Sequence, residues 1–291
     1  MSDAHSTLTT IAPAKLNLFL HVVGRRADGY HLLQSVFVLL DIGDTLHFAT
    51  RSDGVIQRLS HLPGVKPEED LVVRAAQALR REAGSASRQA GLGVDITVEK
   101  KLPMGGGLGG GSSDAASTIL ALNRLWGLDF PVEKLRAIGL ELGADVPFFI
   151  FGRNAFAEGI GENLTPVELP QWWYLVLTPP VLVPTSVVFT HPELTRDTFP
   201  IKISDFSANA IGDWRNDLQP VVLKTFLAVT QSFEALQAVC QKSVFGVRMT
   251  GSGACVFAAF EIEQDAREAF QLLQPEYKGF IAQGLSRHPF G

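Results

Sequence analysis

The stretch at residues 101–117, "KLPMGGGLGGGSSDAAS", contains six glycines within seven residues and is the most informative segment of this chain. Alternating apolar residues in the preceding "GVDITVEK" predict a strand, and apolar residues near helical spacing in "SSDAASTILALNRLWGL" predict a helix. Glycine lets a backbone approach a ligand, and N–H groups at a helix N-terminus attract anions. Ser112 and Ser113 can cap the helix or donate hydroxyl groups to phosphate oxygens. The stretch therefore predicts a phosphate-binding loop.

Two other interpretations of the glycines are disfavoured by what surrounds them. A flexible linker is rarely placed between a regular strand and a regular helix. A Walker A loop requires a lysine followed by serine or threonine after its last glycine, whereas Ser112 and Ser113 follow here without a lysine. The phosphate site is therefore not of the P-loop type.

A dinucleotide-binding turn is the third interpretation, because Gly105, Gly107 and Gly110 satisfy the pattern G-x-G-x-x-G. Such a turn follows the first strand of a βαβ unit, and an acidic residue about 20 positions later binds the ribose. This loop lies more than 100 residues into the chain, and Asp129 and Glu133 do not end a clear second strand. The position disfavours a dehydrogenase.

Composition excludes several function classes. The 291 residues carry a formal net charge of −5, which disfavours a nucleic-acid binder that neutralises phosphates. Cys240 and Cys255, the two cysteines, do not have metal-ligand spacing, so a zinc site or disulfide framework is not expected. The N-terminus lacks the features of a signal peptide, and no apolar stretch approaches the roughly 18 residues of a membrane span. We expect a soluble cytoplasmic protein without an obligatory protein partner.

The order of predicted elements indicates an α+β protein. "AKLNLFLHVVG" predicts a strand that places Lys15 and Asn17 on the face opposite Leu16 and Leu18. An Asp-rich turn is predicted within "VLLDIGDTLHFAT", and an apolar strand over "VPFFIFG". Strands and helices mix without strict alternation, which favours α+β over a doubly wound sheet. A composition change near residues 160 to 170 predicts a domain boundary there.

Four segments together resemble the GHMP kinase superfamily. "LPMGGGLGGGSSDAA" is similar to its phosphate-binding motif, and "RMTGSGACVFAAF" to its third, glycine-rich motif. "PAKLNLFLHVVGRRADGYHLLQSVF" and "LGADVPFFIFGRNAFAEGIGE" resemble the branch that acts on a cytidylated alcohol. The resemblance covers essentially the whole chain. It implies a ribosomal-protein-S5-domain-2-like ATP-binding domain over residues 1–160 and a ferredoxin-like domain over residues 161–291.

The resemblance also implies an activity. A kinase of this branch, which belongs to the non-mevalonate isoprenoid pathway, transfers the γ-phosphate of ATP to the 2-hydroxyl of a cytidine diphosphate-linked methylerythritol. Mg²⁺ is expected with ATP, but its ligands stay open, with Asp114 or a loop serine as candidates. A homoserine- or mevalonate-type kinase and an inactive, nucleotide-sensing relative are the alternatives. The expected ATP-binding residues are Pro103, Met104, Gly105, Gly106, Gly107, Leu108, Gly109, Gly110, Gly111, Ser112 and Ser113.

Two residues are the expected catalytic groups. Asp145, in "GADVPFF", is the candidate base that relieves the acceptor hydroxyl of its proton, although "GAD" is also a turn or helix-cap sequence. The resemblance places Lys15 beside this aspartate, where its charge would favour the ionised carboxylate or stabilise the transferring phosphoryl group. Without the resemblance, Lys15 reads as a solvated lysine on a strand.

Six residues are expected to bind the acceptor. Tyr30 and Phe189 would stack on the two faces of cytosine, and His31 would read its edge. Without the resemblance, a phenylalanine such as Phe189 reads as a core residue. The remaining expected contacts are Asn17, Thr185 and Lys100. Asp70 stands where relatives commonly have asparagine near the adenine pocket, so we do not expect it to contact the nucleotide.

Overall fold

The computed structural model describes residues 6–62, 64–66, 69–84, 91–203 and 214–290. Ten strands are described: β1 (Thr7–Arg25), β2 (His31–Arg51), β3 (Ile56–Arg58), β4 (Gly93–Glu99), β5 (Ala155–Gly159), β6 (Asn163–Pro166), β7 (Trp173–Leu177), β8 (Arg248–Met249), β9 (Val256–Phe260) and β10 (Gly279–Leu285). The described helices are α1 (Leu71–Ala83), α2 (Gly110–Leu125), α3 (Val132–Leu140), α4 (Val146–Phe151), α5 (Thr185–Thr190), α6 (Gln219–Thr225), α7 (Leu227–Val239) and α8 (Glu263–Leu273). No helix in these ranges has the length and apolarity to cross a bilayer.

The N-terminal half is a mainly antiparallel sheet covered by helices, in which β3 and β4 form the parallel pair. β2 is its central strand and pairs with β1, β4 and β5. The alternation that predicted β4 buries Val94, Ile96 and Val98, and these side chains pack in one apolar core with buried residues of α1 and α2. Burial of these apolar faces holds the two helices on the sheet. The glycine-rich loop therefore runs from the end of β4 to the start of α2, as the sequence predicts.

The C-terminal half has the ferredoxin-like arrangement. Its strands lie in the order β10-β7-β9-β8, and neighbouring strands are antiparallel. Along the chain these strands and the helices between them follow the split β-α-β topology. The predicted α+β class and the two-domain arrangement are confirmed.

The two halves share one sheet. β10 pairs with β7 and, through Gly284 and Leu285, with Leu40 and Leu39 of β2. A third apolar cluster, which includes residues of β1, β2, β7 and β9, fills the space behind this junction. β1, β2 and β5 of this sheet form one wall of the cavity described below. The boundary between residues 160 and 161 falls in the turn between β5 and β6 and stays a prediction.

Two local predictions are wrong. The expected Asp-rich turn is part of β2, where Asp44 is buried and accepts hydrogen bonds from the N–H groups of Lys101 and Leu102. The segment expected as an apolar strand is the helix α4. Its residues from Val146 to Ile150 are all buried, so apolar character cannot distinguish strand from helix there, whereas Pro147 suits the first turn of a helix.

Candidate active site

A cavity of about 690 Å³ lies between the two halves. Its walls come from β1, β2, β5, the glycine-rich loop, α5 and the turn that follows β8. This volume falls within the range of small-molecule sites. The expected site residues that line it are Lys15, Asn17, Tyr30, His31, Gly105, Gly107, Gly109, Ser112, Asp145, Thr185 and Phe189.

Lys15 and Asp145 form an ion pair in this cavity. Lys15 Nζ lies 3.5 Å from Asp145 Oδ2, and the lysine side chain is 4% exposed whereas the aspartate is 34% exposed. The lysine is therefore enclosed by protein, and the carboxylate faces the open space. An unpaired buried ammonium is costly, so the pair and the bonds described next hold Lys15 in place.

Asn17 fixes the direction of the lysine side chain. Lys15 Nζ donates to Asn17 Oδ1 at 2.6 Å, and Asn17 Nδ2 donates to Ser35 Oγ at 2.8 Å. Ser35 Oγ in turn donates to the carbonyl of Phe19, and the Asn17 N–H donates to Thr250 Oγ1 at 3.0 Å. The shared face of Lys15 and Asn17, predicted from strand alternation, is confirmed by their hydrogen bond.

The carboxylate of Asp145 is not used as a helix cap. Asp145 occupies the N-cap position of α4, but its side chain makes no capping hydrogen bond. The turn or cap interpretation of "GAD" explains its place in the chain and leaves its carboxylate free for Lys15 and for a ligand.

The glycine-rich loop packs closely against the protein as well as facing the cavity. Gly107 has φ +76°, and a Cβ there would lie 2.3 Å from the carbonyl oxygen of Thr250. Gly109 has φ +72°, and its Cβ would lie 2.8 Å from Phe149 Cζ and 3.1 Å from Lys15 Cγ. Side chains are therefore excluded on both grounds at these positions. Part of the glycine content is required by packing rather than by phosphate.

The first turn of α2 supplies donors and two unpartnered polar atoms. The first N–H groups of a helix have no intrahelical acceptor, and the helix dipole favours anions at this end. Ser113 Oγ and Asp114 Oδ1 are buried without a hydrogen-bond partner. Burial raises the pKa of Asp114 to about 7, with Lys100 opposing this rise and Asp44 adding to it. A hydroxyl and a carboxylate oxygen are ligand types that suit Mg²⁺, although both residues lie outside the cavity lining.

No group of three or more His, Cys, Asp or Glu side chains suited to a metal occurs in the part of the chain that the structure describes. Mg²⁺ keeps several waters and needs only one or two protein ligands beside substrate phosphates. The donor set at the start of α2 is compatible with that mode of binding.

Lys100 is placed differently from the expected substrate contact. Its ammonium forms ion pairs with Asp44 and with Asp114 at 2.9 Å, and it is not among the residues that line the cavity. Asp44 also holds the N–H groups of Lys101 and Leu102. This geometry favours a role in anchoring the start of the glycine-rich loop.

The expected base-binding residues lie together at one end of the cavity. The rings of His31 and Phe189 stack with centroids 5.0 Å apart and an interplanar angle of 29°. The side chain of Tyr30 is 62% exposed and lines the same space. Thr185 Oγ1 is hydrogen bonded to Ser252 Oγ at 2.8 Å, which links α5 to the turn after β8. His31 thus occupies part of the Phe189 face that was expected to cover a base.

Several cavity or supporting residues were not expected from the sequence. Arg25 and Ser252 line the cavity, and Thr250 supports Asn17. Asn216 donates from Nδ2 to the carbonyls of Met249 and Gly251, which shapes the turn after β8. The "TGSG" motif pointed to this turn, but no sequence signal marks Asn216.

Several of the expected ATP-binding residues do not line the cavity. They are Pro103, Met104, Gly106, Leu108, Gly110, Gly111 and Ser113.

Asp70 has structural partners that account for its side chain. Asp70 Oδ1 accepts the N–H of Val72 and so caps α1, while Oδ2 pairs with Arg58 Nη1 at 2.8 Å. Both charged side chains are 7% exposed.

Comparison with known proteins agrees with this geometry. The family model described as "GHMP kinases N terminal domain" matches residues 70–153, and "GHMP kinases C terminal" matches residues 203–277. A relative from Janthinobacterium sp. named 4-diphosphocytidyl-2-C-methyl-D-erythritol kinase is 58% identical over 278 residues, covering 96% of this chain and 94% of its own length. The chain belongs to the 4-diphosphocytidyl-2-C-methyl-D-erythritol kinase family.

Another member of the 4-diphosphocytidyl-2-C-methyl-D-erythritol kinase family, from Nitrosospira multiformis, is 55% identical and covers 99% of this chain and 94% of its own length. The crystal structure titled 4-(cytidine 5'-diphospho)-2C-methyl-D-erythritol kinase superposes with a TM-score of 0.80 at 34% identity, covering 95% of this chain and 99% of that chain. The predicted membership of the GHMP kinases is confirmed, and the chain is a small-molecule kinase.

Proposed function

We propose that this protein transfers the γ-phosphate of ATP to the 2-hydroxyl of 4-diphosphocytidyl-2-C-methyl-D-erythritol, giving the 2-phosphate and ADP. The observation that carries the proposal is the Lys15–Asp145 pair, which faces a cavity bounded by a phosphate-type loop at one side and by aromatic rings at another. Relatives that match nearly the whole chain bear the name of this kinase.

Asp145 is suited to the role of general base. Its carboxylate is partly exposed to the cavity and does not cap a helix, so an acceptor hydroxyl can reach it. In the transfer the hydroxyl proton passes to Asp145, the oxygen forms a bond to the γ-phosphorus, and the bond from that phosphorus to the bridging oxygen of ADP breaks.

Lys15 and Asn17 are suited to holding the reacting groups in line. The Lys15 ammonium is fixed by Asn17 and Asp145, so it can stabilise negative charge without reorganising during transfer. Asn17 Nδ2 is bonded to Ser35, which fixes the orientation of the amide. Enclosure of Lys15 strengthens its electrostatic effect because little water screens it.

The loop and the start of α2 are proposed to bind the ATP phosphates. Gly105, Gly107, Gly109 and Ser112 line the cavity and present backbone groups to it. Mg²⁺, if held by Ser113 or Asp114, supplies neutralisation of the phosphate charge. Lys15 and Arg25 add positive charge to the cavity walls, which suits two phosphorylated substrates.

The cytidine end is proposed to lie against Tyr30, His31 and Phe189. The exposed ring of Tyr30, the stacked rings of His31 and Phe189, and the hydroxyl of Thr185 offer stacking and hydrogen bonds to a nucleoside diphosphate. Homoserine and mevalonate have no base to occupy this end. We propose further that the protein acts on this small molecule in the cytoplasm, without a nucleic-acid, membrane or obligatory protein partner.

A substrate-dependent ADP-release assay tests the function. ATP and magnesium are supplied with 4-diphosphocytidyl-2-C-methyl-D-erythritol, mevalonate or homoserine, and ADP is measured for each alcohol. Of the three alcohols, we expect only the cytidylated one to give ADP release. Turnover of mevalonate or homoserine instead would contradict the substrate, and no ADP with any of the three would favour an inactive nucleotide sensor.

A further inference from the structure

Arg196 is bound on three sides next to the base-binding end of the cavity. Its Nε donates to His31 Nε2 at 3.2 Å. Its Nη1 donates to the carbonyl of Leu194, and Nη2 donates to the carbonyls of Phe189 and His191 at 3.0 and 2.8 Å. The guanidinium is therefore held by backbone groups and cannot turn away from His31 without breaking them.

This contact determines which nitrogen of His31 carries hydrogen. A guanidinium is a donor only and stays charged, so the His31 Nε2 atom that faces it must be the acceptor. The proton of the neutral ring is then on Nδ1. Burial lowers the pKa of His31, and the charges of Arg196 and Arg25 lower it further, which favours the neutral ring. Asp28, which also lines this cavity, is paired with Arg26.

His31 lines the cavity, and because Nε2 faces Arg196, Nδ1–H is the ring donor left to meet a bound base. The His31 ring stacks on Phe189 with the two planes inclined by 29°. A base that stacks beside His31 on the same aromatic ring would meet the imidazole edge to edge. Cytosine has an acceptor at N3, whereas uracil has an N–H donor at that position. A fixed donor from His31 accepts the first and opposes the second.

We propose that Arg196 is a positioning residue that holds His31 as an Nδ1–H donor and thereby makes the site select cytosine over uracil. The inference rests on the proposed function, because it assumes that a cytidine nucleotide binds at this end. Arg196 itself need not contact the base. It acts through His31, which is why its effect is sought in base discrimination rather than in overall turnover.

Calorimetric binding of CDP and UDP measures this discrimination without requiring turnover. Wild-type protein is expected to bind CDP at least about tenfold more tightly than UDP, since the wrong base leaves buried polar groups unpaired. Arg196→Met removes the donor, so both neutral forms of His31 become available and the ratio falls severalfold at pH 8. The terminal phosphates of CDP and UDP titrate alike, so their pH dependence cancels in the ratio.

Lowering the pH separates positioning from a structural role. In Arg196→Met the pKa of His31 rises because a positive neighbour is lost, and protonated His31 donates from both nitrogens. The CDP-to-UDP ratio of this variant is therefore expected to rise as the pH is lowered from 8 to 5.5, while the wild-type ratio stays constant because Nδ1 carries hydrogen in both protonation states. Arg196→Lys, which keeps a donor, should retain most of the ratio. Arg267→Met is the matched control, since Arg267 pairs with Glu263 on the exposed face of α8, outside the cavity lining.

Two results would overturn the inference. One is an unchanged CDP-to-UDP ratio in Arg196→Met, or an equal loss of affinity for both nucleotides at every pH. The other, which needs no variant, is a nitrogen NMR spectrum of wild-type protein in which Nε2 rather than Nδ1 of His31 carries the proton. Failure of the proposed function is recognised separately, as absence of ADP release with the cytidylated alcohol.

Discussion

Gly109 is the position where the close packing of the phosphate loop can be tested most sharply. Substitution by alanine places a Cβ 2.8 Å from Phe149 Cζ and 3.1 Å from Lys15 Cγ, on a backbone with φ +72°. The left-handed conformation costs an L-residue about 1 kcal/mol, and overpacking of a filled site adds about 1–3 kcal/mol. We therefore expect Gly109→Ala to lose about 2–4 kcal/mol of unfolding free energy.

Gly127→Ala separates the two contributions. Gly127 also has positive φ (+60°), but nothing lies within 4 Å of its Cβ position, and it is not part of the cavity lining. This variant should lose only the backbone contribution of about 1 kcal/mol. Urea-induced unfolding of both variants and of the wild type gives the difference, which we attribute to contacts with Phe149 and Lys15.

The same substitution should impair catalysis. To relieve the contact, the Lys15 stem must shift, and its ammonium then moves from its position 3.5 Å from Asp145. A displacement of about 1 Å at a reacting group lowers kcat about 100-fold, so a shift of a few tenths of an ångström is expected to lower kcat severalfold. Steady-state ADP release should show this loss in Gly109→Ala and near-wild-type kcat in Gly127→Ala. Equal unfolding free energies for the two variants would refute the packing argument.

Two further predictions concern stability. Asp70→Ala removes the cap of α1 and leaves the buried Arg58 without its ion-pair partner, so the unfolding free energy should fall by about 3–5 kcal/mol. Asp70→Asn keeps a hydrogen-bond acceptor and should lose less. Equal losses of the two variants in urea unfolding would contradict the ion-pair contribution. Burial lowers the pKa of His288 to about 4, below the 6.5 of an unfolded histidine, so the unfolded chain binds a proton more readily than the folded one. The contribution of His288 to the free energy of unfolding is therefore complete above pH 6.5 and is lost as the pH falls toward 4. Between pH 7 and pH 5 this loss should be about 2 kcal/mol in wild type, and His288→Gln should remove it; the same pH slope in both proteins would exclude His288 as its source.

Local patterns predicted the elements that carry the site. Strand alternation placed Lys15 and Asn17 on one face, and the change from strand to helical spacing placed the glycines between β4 and α2. These predictions succeed because the spacing at which side chains return to one face of a strand or helix depends only on the local backbone conformation.

The remaining features depend on contacts between distant parts of the chain. Asp44 looked like a turn residue because its partners, the N–H groups before the glycine-rich loop, lie more than 50 residues away. Asp145 could be singled out only through family resemblance, since its local sequence also suits a helix cap. Arg196 and His31 are hydrogen bonded although they lie 165 positions apart in the sequence, and no pattern in either segment indicates that contact.

The steady-state kinetics of Asp145→Asn test the central claim most directly, with Asp129→Asn on the surface as the matched control. The amide keeps the shape of the side chain but cannot take the hydroxyl proton. We predict that kcat with 4-diphosphocytidyl-2-C-methyl-D-erythritol falls by about 10²–10⁴ while calorimetric ATP affinity stays near that of wild type. Asp129→Asn should retain wild-type kcat. A kcat for Asp145→Asn within a few-fold of wild type would contradict the assignment of Asp145 as the base.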